Sequence, residues 1–230
     1  MTSNRYLTLN EETYYSQAWQ DQFVDLMLMD SDGNLCQDGF FVDVGAGTDQ
    51  DSWGSNSFVF EQRGWSGIAI DSDINRLVER NCLIDCSWIG TGKYNTVTLS
   101  EVLRNHNAPK VLDYLSIDLD TLLTPDGLLE GMDLVAIQTA IEAGYTFKIL
   151  TIEHDLYRRG QSYKDEIFFY LASKGYVRIV DNVGDKANID DLYKGFIFED
   201  WYIDPREIDY QTCLFRLKNR WKIWQDRLKK

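Results

Sequence analysis

The chain has 230 residues and a mass of 26.7 kDa, enough for one substantial core and short for two, so a single domain spanning 1–230 is expected. Its 37 acidic residues against 23 Lys and Arg give a formal charge of -14, which argues against a protein that grips nucleic acid by its phosphates. Neutral sugars and small metabolites remain open as ligands.

The opening MTSNRYLTLNEETYY lacks a basic cap followed by an apolar core, and no later stretch reaches spanning length. A soluble cytoplasmic chain without membrane insertion is therefore expected. Residues 1–15 have no period and read as an arm or lid edge. Ser16 precedes Phe23, Leu26 and Met27 at helical spacing, predicting a helix capped by Ser16 that runs to about Met29, so residues 1–30 form an N-terminal helical arm. Gln17, Gln20 and Asp21 lie on adjacent turns, as a ligand-facing side or as the wet side of an amphipathic helix.

Phe40 to Val44 is an apolar run feeding Gly45-Ala46-Gly47, the pattern of a buried parallel strand ending in a glycine turn. A crossover helix fits Asn56 to Trp65. Gly67 to Ile70 is the next strand and ends at Asp71, 24 residues beyond Gly47, where an acid can take the two hydroxyls of a ribose. A dinucleotide fingerprint needs a third glycine after Gly47, but Thr48, Asp49, Gln50 and Asp51 stand there, and two carboxylates repel a pyrophosphate. A ligand with a cationic centre, such as S-adenosylmethionine, suits them better.

A helix follows over Ile74 to Arg80. Cys82 to Trp88 then reads as a third strand and its exit loop, with Asp85, Cys86, Ser87 and Trp88 placed to touch an adenine. Cys36, Cys82, Cys86 and Cys213 are too scattered for a zinc set and read as reduced core thiols. A short helix begins at Thr98, and Val111 to Asp120 is a strand delivering Asp118 and Asp120. A helix lies within 127–143, between Pro125 and Gly144. Phe147 to Ile152 is a fifth strand that brings Glu153, His154 and Asp155 to the same edge. A helix over 161–174, a strand at Tyr176–Val180, a loop over 181–195 and a late strand at Phe196–Tyr202 follow. Residues 217–230 form a C-terminal surface helix.

These blocks resemble the FkbM family of S-adenosylmethionine-dependent methyltransferases. The resemblance runs over Ser16-Gln17 with Gln20-Asp21, Phe41 to Gly47, Ser55-Asn56-Ser57, Gly64 to Gly67, Asp113 to Asp118 and Thr151 to His154, in family order across roughly residues 16–180. It implies a class I methyltransferase-like (Rossmann-like) α/β fold, a mostly parallel sheet with helices on both faces. The implied activity is O-methyl transfer to a hydroxyl of a sugar, glycan or related small molecule. Asp43, Gly45, Ala46 and Gly47 are then expected around the methionyl group, with Gln17, Asn56 and Asp118 also on the cofactor and Asp71 on the ribose. Many family members follow the fourth-strand Asp with an apolar residue, Glu and Gly, whereas Asp118 is followed by Leu119, Asp120 and Thr121.

Methyl transfer to an alcohol needs in-line alignment and a proton acceptor. His154 at the active edge is the expected base, with Asp120 and Asp118 as alternatives. A second route has Asp118, Glu153 and His154 binding Mg2+ or Mn2+ to lower the pKa of the alcohol. The competing classes are a nicotinamide-dependent oxidoreductase and a catalytically silent nucleoside-cofactor-binding partner. Homo-oligomerisation is left open.

Overall fold

The structure is a computed structural model and describes residues 7–9, 12–47, 54–93, 95–119, 122–124, 127–129, 132–184 and 196–227. Strands β1 (Leu7–Leu9) and β2 (Glu12–Tyr14) pair as an antiparallel hairpin ahead of helix α1 (Gln20–Leu28). The N-terminal segment is therefore not helical throughout, and the helix starts later than Ser16 predicts. Asp21 is the reason. Its carboxylate accepts the backbone N–H groups of Tyr15 and Ser16 at 2.7 and 3.0 Å and also the Ser16 hydroxyl, while Trp19 takes a left-handed φ of 68°.

The central strands are β3 (Phe40–Val44), β4 (Ser66–Ile70), β5 (Leu83–Asp85) and β6 (Val111–Ile117), then, beyond a hairpin of β7 (Leu122–Thr124) and β8 (Gly127–Leu129), β9 (Thr146–Glu153), β10 (Val177–Gly184) and β11 (Ile197–Ile203). Their spatial order is β10-β11-β9-β6-β3-β4-β5. The pairs β3–β4, β3–β6, β4–β5 and β6–β9 are parallel, and β11 runs antiparallel to both β9 and β10. This is the expected class I methyltransferase-like α/β sheet. Val42, Val44, Leu115, Ile117, Leu150 and Ile152 pack against α3 (Leu99–Asn105), α4 (Met132–Glu142) and α5 (Leu156–Ser173). Phe41, Tyr114, Ile149 and Trp201 belong to a second core with α1, α2 (Phe58–Gln62) and α6 (Tyr210–Arg227). Among the described residues no helix is long and apolar enough to cross a membrane.

Other differences from the sequence reading are local. Residues 74–80 form only a 3-10 turn, Ile74–Leu77, whereas α4, Met132–Glu142, falls within the expected 127–143 and is preceded by β8. β10 continues to Gly184, with Asn182 in a left-handed conformation at φ 58°. α6 starts at Tyr210 because Asp209 accepts the N–H of Thr212 at 2.6 Å.

The turn after β3 is built for glycine. Gly45 has φ 83°, its N–H and that of Ala46 donate to the Ile70 carbonyl at 2.9 and 3.0 Å, and a Cβ there would sit 2.0 Å from the Asp118 carbonyl oxygen. Beneath it lies Arg80, its side chain fully buried. Nη1 donates to the Gly47 carbonyl at 2.8 Å, Nη2 to Ser57 Oγ at 2.8 Å and Nε to Glu61 Oε2 at 2.7 Å. Asp43 accepts from Ser57 Oγ at 2.6 Å and lies 3.9 Å from Arg80 Nη1.

Gly45→Ala is expected to cost more than about 2 kcal/mol, since it adds both left-handed strain and a backbone clash. Arg80→Met keeps the apolar stem but strands the Asp43 and Glu61 carboxylates, and is expected to cost about 3–5 kcal/mol. Urea denaturation monitored by circular dichroism measures both; a loss under about 1 kcal/mol for Arg80→Met would contradict the role given to it.

Candidate active site

From β3 the chain steps outward to β4 and β5, then crosses back to β6 on the other side of β3. This reversal opens a crevice at the carboxyl ends of β3 and β6, the place where open α/β sheets take ligands. Gly45 borders it on one side and Asp118 on the other, with the Asp118 N–H donating to the Val44 carbonyl at 2.9 Å.

On the cofactor side, Asp43 is buried and turned to Ser57 and Arg80, so it braces the turn from below; burial, opposed by the Arg80 charge and the Ser57 bond, raises its pKa. Ala46 is buried, and the Gly47 carbonyl is held by Arg80. Asn56 Nδ2 donates to Ser116 Oγ at 2.9 Å, linking the start of α2 to β6. The Gln17 backbone lies beside Gly54, whose absent Cβ leaves room for the Tyr15 carbonyl. Asp71 stands at the carboxyl end of β4, accepting the Asp73 N–H at 2.8 Å and pairing with Arg76 at 3.0 Å. Asp85 accepts from Ser87 N at 2.9 Å and contacts His106 Nε2 at 2.9 Å; these bonds outweigh burial and hold its carboxyl below the usual range. Cys86 and Trp88 are exposed, and all four thiols are free, with only Cys213 buried. Residues 48–53, on which the charge argument against a pyrophosphate rests, lie outside the described residues, as does Asp120.

On the other side of the crevice, Glu153 ends β9 and lies opposite Glu199 in the register of β11. Burial raises the Glu153 pKa well above the usual range, and the neighbouring Asp118 and then Asp155 carboxyls add to it. Glu199 is pushed up to about 8, mainly by burial and despite donors from Trp201 Nε1 and Gln20 Nε2. Asp155 takes a left-handed φ of 47° and pairs with Arg158; its Oδ1 is buried without a hydrogen-bond partner. Just outside, the rings of Tyr157 and Phe196 meet edge to face at 4.8 Å and both are exposed.

His154 does not join this group. Its ring is 1% exposed and lies on the opposite face, with Nε2 3.3 Å from Asp200 Oδ1. The set Asp118, Glu153 and His154 is thus not assembled, and among the described residues no three His, Cys, Asp or Glu side chains are grouped to hold a metal ion. Sequence reasoning missed Arg80 and Glu199. Two adjacent acids, Glu199-Asp200, inside an otherwise apolar strand were the available signal for the second; nothing local marks the first.

No family model matches the chain and no curated protein matches it, so the FkbM resemblance stands on the sequence blocks alone. Among solved structures, a candidate rRNA-methylase from Clostridium thermocellum aligns with a TM-score of 0.48 at 10% identity, over 82% of this chain and 97% of that one. A candidate methyltransferase from Streptococcus mutans, in complex with SAH, aligns with a TM-score of 0.45 at 12% identity, over 80% and 94%. An S-adenosylmethionine-dependent methyltransferase from Agrobacterium tumefaciens gives 0.43 at 12%, over 81% of this chain and 60% of that one. Likenesses this distant say nothing of activity or substrate.

Proposed function

We propose that the chain is an S-adenosylmethionine-dependent O-methyltransferase of the FkbM type, acting on a hydroxyl of a sugar, glycan or related small molecule. The observation that carries this reading is the sheet itself. A dinucleotide-binding sheet runs 3-2-1-4-5-6. Here the reversed strand β11 is inserted between β9 and β10, and the glycine turn at the switch point is followed by a ribose-type acid, Asp71.

Bound S-adenosylmethionine supplies an electrophilic methyl group. Gly45 to Gly47 and Asn56 would border its methionyl part, Asp71 its ribose and Asp85 to Ser87 its adenine. Glu153 is the proton acceptor in this scheme: burial, and then the carboxyls of Asp118 and Asp155 beside it, raise its pKa and make it a stronger base than an ordinary carboxylate. Tyr157 and Phe196 offer the acceptor an apolar face beside that group. A charge of -14 and an acidic mouth disfavour RNA as the acceptor.

Calorimetry should find binding of S-adenosylmethionine and S-adenosylhomocysteine but not of NAD, with Asp71→Ala weakening it by about tenfold or more. Preferential binding of NAD would sink the reading. With an acceptor identified from a panel of sugars and glycans, Glu153→Gln should slow transfer by about 100-fold or more at unchanged cofactor affinity. Because the pKa of Glu153 is raised, the base is switched off at low pH and the rate should climb as pH rises through that pKa. A Gln variant that kept the climb would remove Glu153 from the role.

A further inference from the structure

The register of the sheet sets Asp118 between the glycine turn and Glu153. Val44, Ile117 and Ile152 are level across β3, β6 and β9, so Gly45, Asp118 and Glu153 are the next residues beyond them at the carboxyl edge. A Cβ placed on Gly45 would come within 3.4 Å of the Asp118 Cβ, so the Asp118 side chain leaves its strand against the turn. Asp118 is exposed and Glu153 half-buried, and neither carboxyl is sealed from the crevice.

The charges around Glu153 are one-sided. Asp118 from β6 and Asp155 ahead of α5 both act on it, Glu199 of β11 lies opposite it, and Tyr157 approaches from α5. The arginines that reach this side are engaged with other acids: Arg158 with Asp155, Arg159 with Asp133 and, at 3.8 Å, Asp155, and Arg80 with Glu61 and Asp43 beneath the turn. Lys164, Arg178 and His154 go to Asp200 on the other face. A cation brought into the crevice thus meets a carboxyl that burial and its neighbours have kept protonated.

The methyl donor is itself such a cation. S-adenosylmethionine carries a sulfonium and S-adenosylhomocysteine a neutral thioether, so donor and product differ by one charge at the reacting sulfur. A positive charge favours carboxylate over carboxylic acid, and a partly buried crevice screens it less than water does. Resting on the cofactor reading given above, we propose that Glu153 gives up its proton to solvent when the sulfonium donor occupies the crevice and keeps it when the thioether product does, so the base is armed only while there is a methyl group to transfer. The proton balance closes. One proton leaves as the donor binds, the alcohol's proton refills Glu153 as its oxygen takes the methyl and the carbon–sulfur bond breaks, and the neutral product departs from a protonated glutamate.

Titration calorimetry in buffers of different ionisation enthalpy, with EDTA throughout and from about pH 6 to 9, counts the protons released on binding. In the window where Glu153 titrates, S-adenosylmethionine should release about half a proton or more per site beyond S-adenosylhomocysteine, and its affinity should gain about threefold or more on that of the product as pH rises. An analogue with a protonated amine in place of the sulfonium should release the same proton, because it carries the charge without the methyl. In Glu153→Gln the ligand's own amino group still titrates, but the excess of donor over product should vanish. At the acid end of the window, where Glu153 keeps its proton with either ligand, that variant should bind as the wild type does. Asp118→Asn removes a neighbouring carboxylate and should move the window to lower pH; circular dichroism verifies that both variants fold. Equal proton counts for donor and product overturn the proposal, as does an excess that survives in Glu153→Gln or a window that Asp118→Asn leaves in place. Failure of either ligand to bind is a different result: it removes the cofactor reading, and the coupling falls with it.

Discussion

The cofactor side of the crevice depends on one buried guanidinium. Arg80 reaches the Gly47 carbonyl, Ser57 and Glu61 with three separate N–H groups and lies beside Asp43, so it joins the end of β3, the glycine turn and both ends of α2. Burying such a group is expensive unless every donor finds an acceptor. Here the requirement acts as a constraint on shape: the turn cannot move without stranding either a cation or a carboxylate. Glu61 registers the same coupling, since the Asn81 N–H and Arg80 outweigh burial and hold its carboxyl below the usual range.

A second arginine does the corresponding work on the far side. Arg159 pairs with the buried Asp133 and donates through Nη2 to the Leu119 carbonyl at 2.7 Å, while Asp133 accepts the Leu119 N–H at 2.9 Å. Both polar groups of Leu119 are thereby fixed, and with them the direction of Asp118 immediately before it. Asp133 is pushed up to about 6 by burial, against the pull of Arg159, so this clamp weakens in acid. The two loops that face each other across the crevice are each held by a carbonyl on a buried arginine, Gly47 on Arg80 and Leu119 on Arg159.

What the sequence made legible is what depends on neighbours in the chain. Phe40–Val44, Val111–Ile117 and Thr146–Glu153 are apolar enough to be buried on both faces, and their order along the chain dictates a parallel sheet. Thr98 and Glu101 form the capping box that their spacing advertises. The helix read within 127–143 is there as α4, while the β7–β8 pairing ahead of it has only the Pro125-Asp126-Gly127 signal between apolar pairs to mark it in the sequence. Arg80 and Glu199 were not legible, because their partners lie on segments far apart in sequence. His154 was misplaced by parity alone: one residue beyond Glu153 at the end of a strand, its side chain goes to the other face.

That alternation also sets the chemistry of the mouth. Glu199 and Asp200 are consecutive, both buried, and shifted in opposite directions. Asp200 faces Lys164 at 3.2 Å, Arg178 at 2.9 Å, the Asn182 N–H at 2.8 Å and His154, which together overcome burial and hold it below the usual range. Glu199 faces the other way, toward Trp201 and Gln20, and is raised. The sheet thus gathers Lys164, Arg178 and His154 on one face through Asp200. On the other face of the sheet Glu153 has carboxyls as its electrostatic neighbours, and burial, with Asp118 and then Asp155 adding to it, raises its pKa well above the usual range. Lys164 and Arg178 thus stand on one face of β9 and β11 and the glutamates whose pKa burial raises on the other, so this separation of charge is as much a part of the site as Glu153 itself.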